Sequence, residues 1–302
     1  MCKRILLVAV ILMLFTGTLF AKGEAENSVS VGAKNFTEQY IMGNLIDLLL
    51  VQNGNFAVKQ NFGLSSNAVR KALETGQIDL YADYTGTAWT VYLNHDDIIS
   101  DPQKLYEAVK QEDAEKNSII WLDMIPVNNT YALAVKESFA QEHGLKTLSD
   151  LTTLVNNNPN QFRFAIDFEF FQRPDGFPAM TRAYGMNVPK SNVKTMEIGL
   201  TYEAIDRGDV DVAMVFATDG RLKRFNLMVL KDDKNFFPPY NLAVTVRKEV
   251  LDAFPDIRTL LSPLSQVLNA QVMQELNYQV DAQKKEPAEV AEAFLKEKGL
   301  IQ

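Results

Sequence analysis

The segment ALETGQIDLYADYTG, residues 72–86, recurs in outline as AIDRGDVDVAMVFATDG, residues 204–220. Ala72, Gly76, Asp79 and Tyr84 correspond to Ala204, Gly208, Asp211 and Phe216 at one constant offset. Each copy reads as a helix end, a glycine turn, a strand containing an aspartate, and an aromatic where the strand runs out. A unit repeated this far along the chain points to two related halves. Ligands of open α/β sheets bind at the edge where the strands end, so Tyr84 and Phe216 are expected to face one cleft, one from each half.

The remaining sequence alternates strand and helix in the same way. SVSVGA alternates like a strand, and Asn35 with Glu38 reads as a capping box opening a helix. That helix carries Ile41, Leu45, Leu48 and Leu49 on one face and stops near Asn53-Gly54. FAVKQNF is the next strand, Ser65-Ser66 caps a second helix, IDLYADY is a third strand, and Asp101-Pro102 opens a further helix. The second half repeats the grammar through RFAID, AMTRAYG, VKTMEIG, TYEAIDRG, VDVAMVF and LMVL, and PAEVAEAFLKEKG closes the chain as a helix stopped at Gly299. Such alternation implies mainly parallel sheets flanked by helices. At 302 residues and 47% hydrophobic content, two lobes suit the chain better than one. No proline- or glycine-rich linker divides it, so continuous strands must join the lobes. YALAV from Tyr131 and YNLAV from Tyr240 form a second echo, each after a turn, and place the two crossings near 128–131 and 237–240.

Lys3 and Arg4 precede an apolar run over residues 5–20, with Ala21 and Gly23 as alternative cleavage points. This is the shape of a secretory signal over residues 1–23, an uncleaved anchor being the alternative. The single cysteine, Cys2, precedes the apolar run and so is not placed for lipid attachment behind a signal. The net charge of −8 becomes more negative once Lys3, Arg4 and Lys22 are removed, a poor match for nucleic acid or anionic lipid. The expectation is a soluble protein exported to the periplasm.

Taken singly, Tyr84, Tyr131, Phe216 and Tyr240 are explained as core packing. Taken together, they are rings from two lobe sheets and two crossings that converge on one cleft. Several electron-rich faces around a cavity attract a cation that cannot donate hydrogen bonds, above all a quaternary ammonium, at about 0.5 to 2 kcal/mol per face.

The blocks KNFTEQYIMGNL, IDLYADYTGT, NNTYALAV, FATDG and DDKNFFPPYNLAV, with EVAEAFLKEKGLI at the end, resemble the substrate-binding proteins of glycine betaine/carnitine/choline ABC importers. The resemblance implies a type II periplasmic-binding-protein fold whose two lobes close around the ligand. Lobe 1 would comprise residues 27–130 and 240–302, and lobe 2 residues 131–239. It also implies a permease with its ATPase as partners; a monomer without cofactor is expected. Carried over by motif, the cage falls on Tyr84, Tyr131, Phe216 and Tyr240, with phenylalanine where tyrosine is more usual at 216, and Thr87 is a polar contact. Lys34 and Arg173 match cations that hold a betaine carboxylate in some relatives, solvated surface cations being the alternative. Gln39 and Asn129 have weaker claims, since the first could face solvent and the second could shape a turn.

An enzyme is the rival reading, with a hydrolase of choline-type substrates as its form and a sensory module as a third possibility. His95 and His143 stand in no metal-ligand spacing, no phosphate loop appears, and Asp96-Asp97 and Asp232-Asp233 resemble solvated turns. Asp79 and Asp83 are the acids expected nearest the cage.

Overall fold

The computed structural model describes residues 27–302, so the signal segment, its cleavage points and Cys2 lie outside the described residues. Among the described residues no helix is long and apolar enough to cross a membrane. The chain begins in one sheet with β1 (Ser28–Lys34), β2 (Ala57–Leu64), β3 (Leu80–Tyr84) and β4 (Ile119–Asn128). It then passes to a second sheet with β5 (Tyr131–Lys136), β6 (Phe164–Asp167), β7 (Val193–Met196), β8 (Val212–Phe216) and β9 (Leu227–Val229), and returns to the first with β10 (Asn241–Arg247). The strand orders are β2-β1-β3-β10-β4 and β7-β6-β8-β5-β9. In each sheet three strands are mutually parallel and the strand that enters from the other sheet inserts antiparallel beside them. The sheets are therefore two copies of one plan, with β3 equivalent to β8 and β10 to β5.

The internal repeat has a local physical basis. Gly76 and Gly208 both adopt left-handed backbone, with φ of 73° and 75°, which glycine tolerates without steric cost. In each copy the helix-end carbonyl accepts a bond across the turn, Gln77 N to Ala72 O at 2.8 Å and Asp209 N to Ala204 O at 2.9 Å. The aspartates then pin the start of the strand to its neighbour: Asp79 accepts from the Ser30 N–H at 2.7 Å and Asp211 from the Arg163 N–H at 2.8 Å. This corrects the expectation that Asp79 lies near the cage. The full length of β3 separates it from Tyr84, and its other partner is Arg247 at 3.1 Å.

The helix Thr37–Gly54 also differs from expectation. Its N-cap position is Phe36, in extended backbone and without a side-chain cap, so Asn35 and Glu38 form no capping box. Glu38 turns inward and is buried. The helix stops when Asn55, not Gly54, takes the left-handed conformation. Ile41, Met42, Leu45, Ile46, Leu49 and Leu50 are fully buried because β1 and β2 cover one side and the C-terminal helices, among them Pro287–Glu297, cover the other. Leu48 is only half-buried.

Candidate ligand-binding site

The carboxyl ends of the parallel strands of both sheets face each other across a cavity of about 350 Å³. Register brings the rings there. Tyr131 opens β5 directly opposite Phe216 at the end of β8, and Tyr84 at the end of β3 pairs with Leu242, two residues past Tyr240. The crossings are tied to one another: the Asn129 N–H donates to the Tyr240 carbonyl at 3.1 Å and the Tyr240 N–H to Asn128 Oδ1 at 2.8 Å. The small residues after Tyr84 follow from the same packing. A Cβ at Gly86 would come within 2.7 Å of the Tyr240 ring, and Thr85 Oγ1 donates to the Pro239 carbonyl at 2.9 Å.

The rings form a continuous wall. Ring centres are 6.2 Å apart from Tyr84 to Phe36, 5.2 Å from Phe36 to Phe216, 5.3 Å from Phe216 to Tyr131, and 5.4 Å from Tyr131 to Tyr240, the last edge-on. Burial pushes the phenols of Tyr84, Tyr131 and Tyr240 far above their ordinary range, so all three present neutral rings. Such an array stabilises a methylated cation through its ring faces and solvates it with no hydrogen bond.

Lys34 and Arg173 are not surface cations; they are 2% and 7% exposed. Lys34 Nζ donates to Asp83 Oδ1 at 2.7 Å and lies 5.0 Å from the centre of the Tyr84 ring. Arg173 grips Asp175 with two bonds, Nε to Oδ1 at 2.7 Å and Nη2 to Oδ2 at 2.6 Å. Its guanidinium stands 5.0 Å from the Tyr131 ring centre and 6.0 Å from that of Tyr240. Burial opposes charge on Asp175, yet Arg173, helped by Tyr240 and Thr90, holds its carboxyl below the usual range. Thr87 lines the cavity and receives a long bond from Arg173 Nη1 at 3.4 Å.

Gln39 is buried and faces no solvent. It supports the Tyr84 wall from behind, donating to the Ala82 carbonyl at 2.9 Å and to the Tyr84 hydroxyl at 3.2 Å. Asn129 lines the cavity and donates through Nδ2 to Glu38 at 3.1 Å. On the outer side the lining continues through Ser65, Ser66 and Asn67 of the first lobe and Asp167, Glu169 and Glu197 of the second. Burial, with Glu169 and Glu197 adding to it, pushes the Asp167 carboxyl up to about 6.

Sequence reasoning missed two residues. Phe36 follows the end of β1 just as Tyr84 ends β3, so the rule that found one aromatic at a strand end could have found the other. Glu38 was read as a cap, and nothing local in the sequence separates a carboxylate that bends back from one that turns inward. The histidines lie outside the cavity: His95 stacks on Trp89 and pairs with Glu112 at 2.8 Å, and His143 packs on Phe139.

A family profile described as the substrate binding domain of an ABC-type glycine betaine transport system matches residues 27–297. A glycine-betaine-binding protein of Pseudomonas aeruginosa is 40% identical over 289 residues, covering 94% of this chain and 92% of that protein. A Helicobacter pylori protein named ergothioneine transport permease/ergothioneine binding protein is 35% identical over 280 residues, covering 91% of this chain and 48% of that protein. A crystal structure described as a glycine betaine/carnitine/choline ABC transporter superposes with a TM-score of 0.74 at 32% identity, over 91% of this chain and 100% of its own. The two sheets thus form a type II periplasmic-binding-protein fold, and the role of the family is substrate binding, not catalysis. With the profile spanning nearly all described residues, the chain belongs to the family of substrate-binding domains of ABC-type glycine betaine transport systems.

Proposed function

We propose that this protein captures a quaternary ammonium compound (glycine betaine, choline, carnitine or proline betaine) between its lobes and delivers it to a permease driven by an ATPase. The observation that carries the reading is the unbroken wall of five rings, Tyr84, Phe36, Phe216, Tyr131 and Tyr240, contributed by both sheets and both crossings. Lobe 1 then comprises residues 27–130 and 240–302 and lobe 2 residues 131–239, hinged at the two crossings. Lys34 and Arg173, with Thr87 beside them, meet the carboxylate of a betaine, while Gln39 and Asn129 hold the wall in place. The signal-like segment 1–23 supports export to the periplasm, where the protein acts as a monomer.

Isothermal titration with these four compounds tests the reading. Ergothioneine belongs in the same series, since it too joins a trimethylammonium to a carboxylate and a relative carries its name. At least one is expected to bind at one per chain and to be recovered unchanged. Failure of all five to bind overturns the proposal.

A further inference from the structure

Six carboxylates are buried among the described residues: Glu38, Asp83, Asp113, Asp175, Asp219 and Asp281. Five have a cation beside them. Asp83 has Lys34 at 2.7 Å, Asp113 has Arg70, Asp175 has Arg173 at 2.6 Å, and Arg221 serves both Asp219 at 2.6 Å and Asp281 at 3.6 Å. Glu38 stands apart, with no cation partner among the described residues. Its Oε1 accepts from the Tyr84 hydroxyl at 2.8 Å and from Asn129 Nδ2 at 3.1 Å, and its Oε2 from Thr218 Oγ1 at 2.7 Å and Asn277 Nδ2 at 3.3 Å. All four donors are neutral. Hydrogen bonds of this kind soften the cost of burying a charge, but they supply no opposite charge.

Two of the donors, Tyr84 and Asn129, also line the ligand cavity. Lys34, which lines that cavity, and Arg173, which stands against the Tyr131 and Tyr240 rings without lining it, are each matched by an aspartate of their own. A cationic ligand therefore enters a cavity that has, besides the carboxylates Asp167, Glu169 and Glu197 of its outer lining, a fully buried carboxylate without a cation of its own a single phenol ring away. A phenol that donates its proton to a carboxylate is also a more electron-rich ring, so the Tyr84 face gains from the same bond.

Resting on the binding function above, we propose that Glu38 is the counter-ion of the bound ammonium, acting through Tyr84 and Asn129, and sets the preference for a charged ligand over a neutral one of the same shape. Glu38 is a positioning residue in this account, for it does not touch the ligand. The groups facing it are Tyr84 of β3, Asn129 of the crossing, Thr218 after β8, and Asn277 of the helix Ala270–Asp281. Charged groups on those elements include Asp219, Arg221 and Asp281, where one arginine is shared by two carboxylates and leaves one negative charge in excess, and Asp83 of β3, which is paired with Lys34.

The proposal has a pH signature. Burial raises the Glu38 pKa, against the hydrogen bonds from Thr218, Tyr84, Asn277 and Asn129. A nearby positive charge lowers it, so the ligand prefers the ionised carboxyl and its binding expels a proton. Affinity is then full above the ligand-free pKa of Glu38 and falls as pH drops through it. Asp167, which also lines the cavity and titrates at about 6, must be removed from the comparison.

The test uses the D167N protein with and without E38Q. Affinities for choline and for 3,3-dimethylbutan-1-ol, its uncharged carbon isostere, are measured between about pH 5 and about pH 8. In D167N the ratio of choline to isostere affinity should rise with pH. With E38Q added it should be flat and lower by about tenfold or more, the alcohol itself changing little. An unchanged ratio, or equal losses for both ligands, assigns Glu38 a purely structural role and overturns the proposal. If E38Q does not fold, or the alcohol binds too weakly to measure, calorimetry of choline binding to D167N in buffers of different ionisation enthalpy decides. Proton release supports the counter-ion, and its absence across the whole range overturns it. Failure of the binding function itself looks different: the wild-type protein then binds neither choline nor any other quaternary ammonium.

Discussion

Tyr131 is the residue on which the wall turns, because it touches Phe216 on one side and Tyr240 on the other and is backed by Phe170, 4.7 Å away and nearly parallel. Tyr131→Ala removes one face of the cage and is expected to weaken a quaternary ammonium by about 0.5 to 2 kcal/mol in titration calorimetry, while Tyr131→Phe retains most of the affinity. Lys34 calls for a different expectation. Deleting it strands Asp83, which is fully buried, so Lys34→Ala should lower the thermal midpoint by the equivalent of about 3 to 5 kcal/mol, and adding Asp83→Asn should recover much of the loss. If Lys34→Ala melts like the wild type, the Lys34–Asp83 pair carries little of the fold. At this scale the sequence showed the aromatic types and their place at strand ends. It did not show which cations are matched, because Asp83 lies 49 residues from Lys34 and the bidentate grip of Arg173 on Asp175 depends on a local turn.

Among the elements, the unit of helix end, glycine turn and strand was legible because it rests on local rules. The left-handed glycine and the bond back to the helix carbonyl are both set within a few residues of sequence. The aspartate was recognised as part of the unit but misjudged in role, since a carboxylate one residue before a strand can face either the ligand edge or the neighbouring strand. Here it pins the far edge. Asp79→Ala should therefore leave ligand affinity unchanged and cost about 1 to 3 kcal/mol of stability in denaturant unfolding, because the Ser30 N–H and Arg247 both lose their acceptor. A loss of affinity without loss of stability would return Asp79 to the site. The helix Thr37–Gly54 gives the opposite lesson. Its existence was plain from periodicity, but its first turn sits under both lobes, where tertiary contacts from Thr218 and Asn277 draw Glu38 inward and override the cap that the sequence offered.

For the whole molecule, the wall of rings exists only where the two sheets meet, and contacts on both flanks join the two sides. On one flank Thr90 Oγ1 donates to Asp175 at 3.0 Å. On the other, Thr218 bonds Glu38, Asn277 Nδ2 donates to the Thr218 carbonyl at 3.1 Å, and the turn that follows rests on the helix Ala270–Asp281. Gly220 makes that approach possible: a Cβ there would lie 2.5 Å from both Cα and Cβ of Tyr278, too close for any real contact. The backbone of Gly220 is ordinary right-handed, with φ of −65°, which alanine adopts freely, and the three atoms nearest to an added Cβ all belong to Tyr278 across the cleft. Gly220→Ala is thus a wedge against closure. Overpacking of this size costs about 1 to 3 kcal/mol, and if that cost falls on the closed state alone, ligand affinity drops by roughly five- to 150-fold. The ligand-free melting curve should barely change, and small-angle scattering should show a larger radius of gyration that saturating ligand reduces only in part. Wild-type affinity in Gly220→Ala would mean that the lobes need not meet at this turn to hold the ligand.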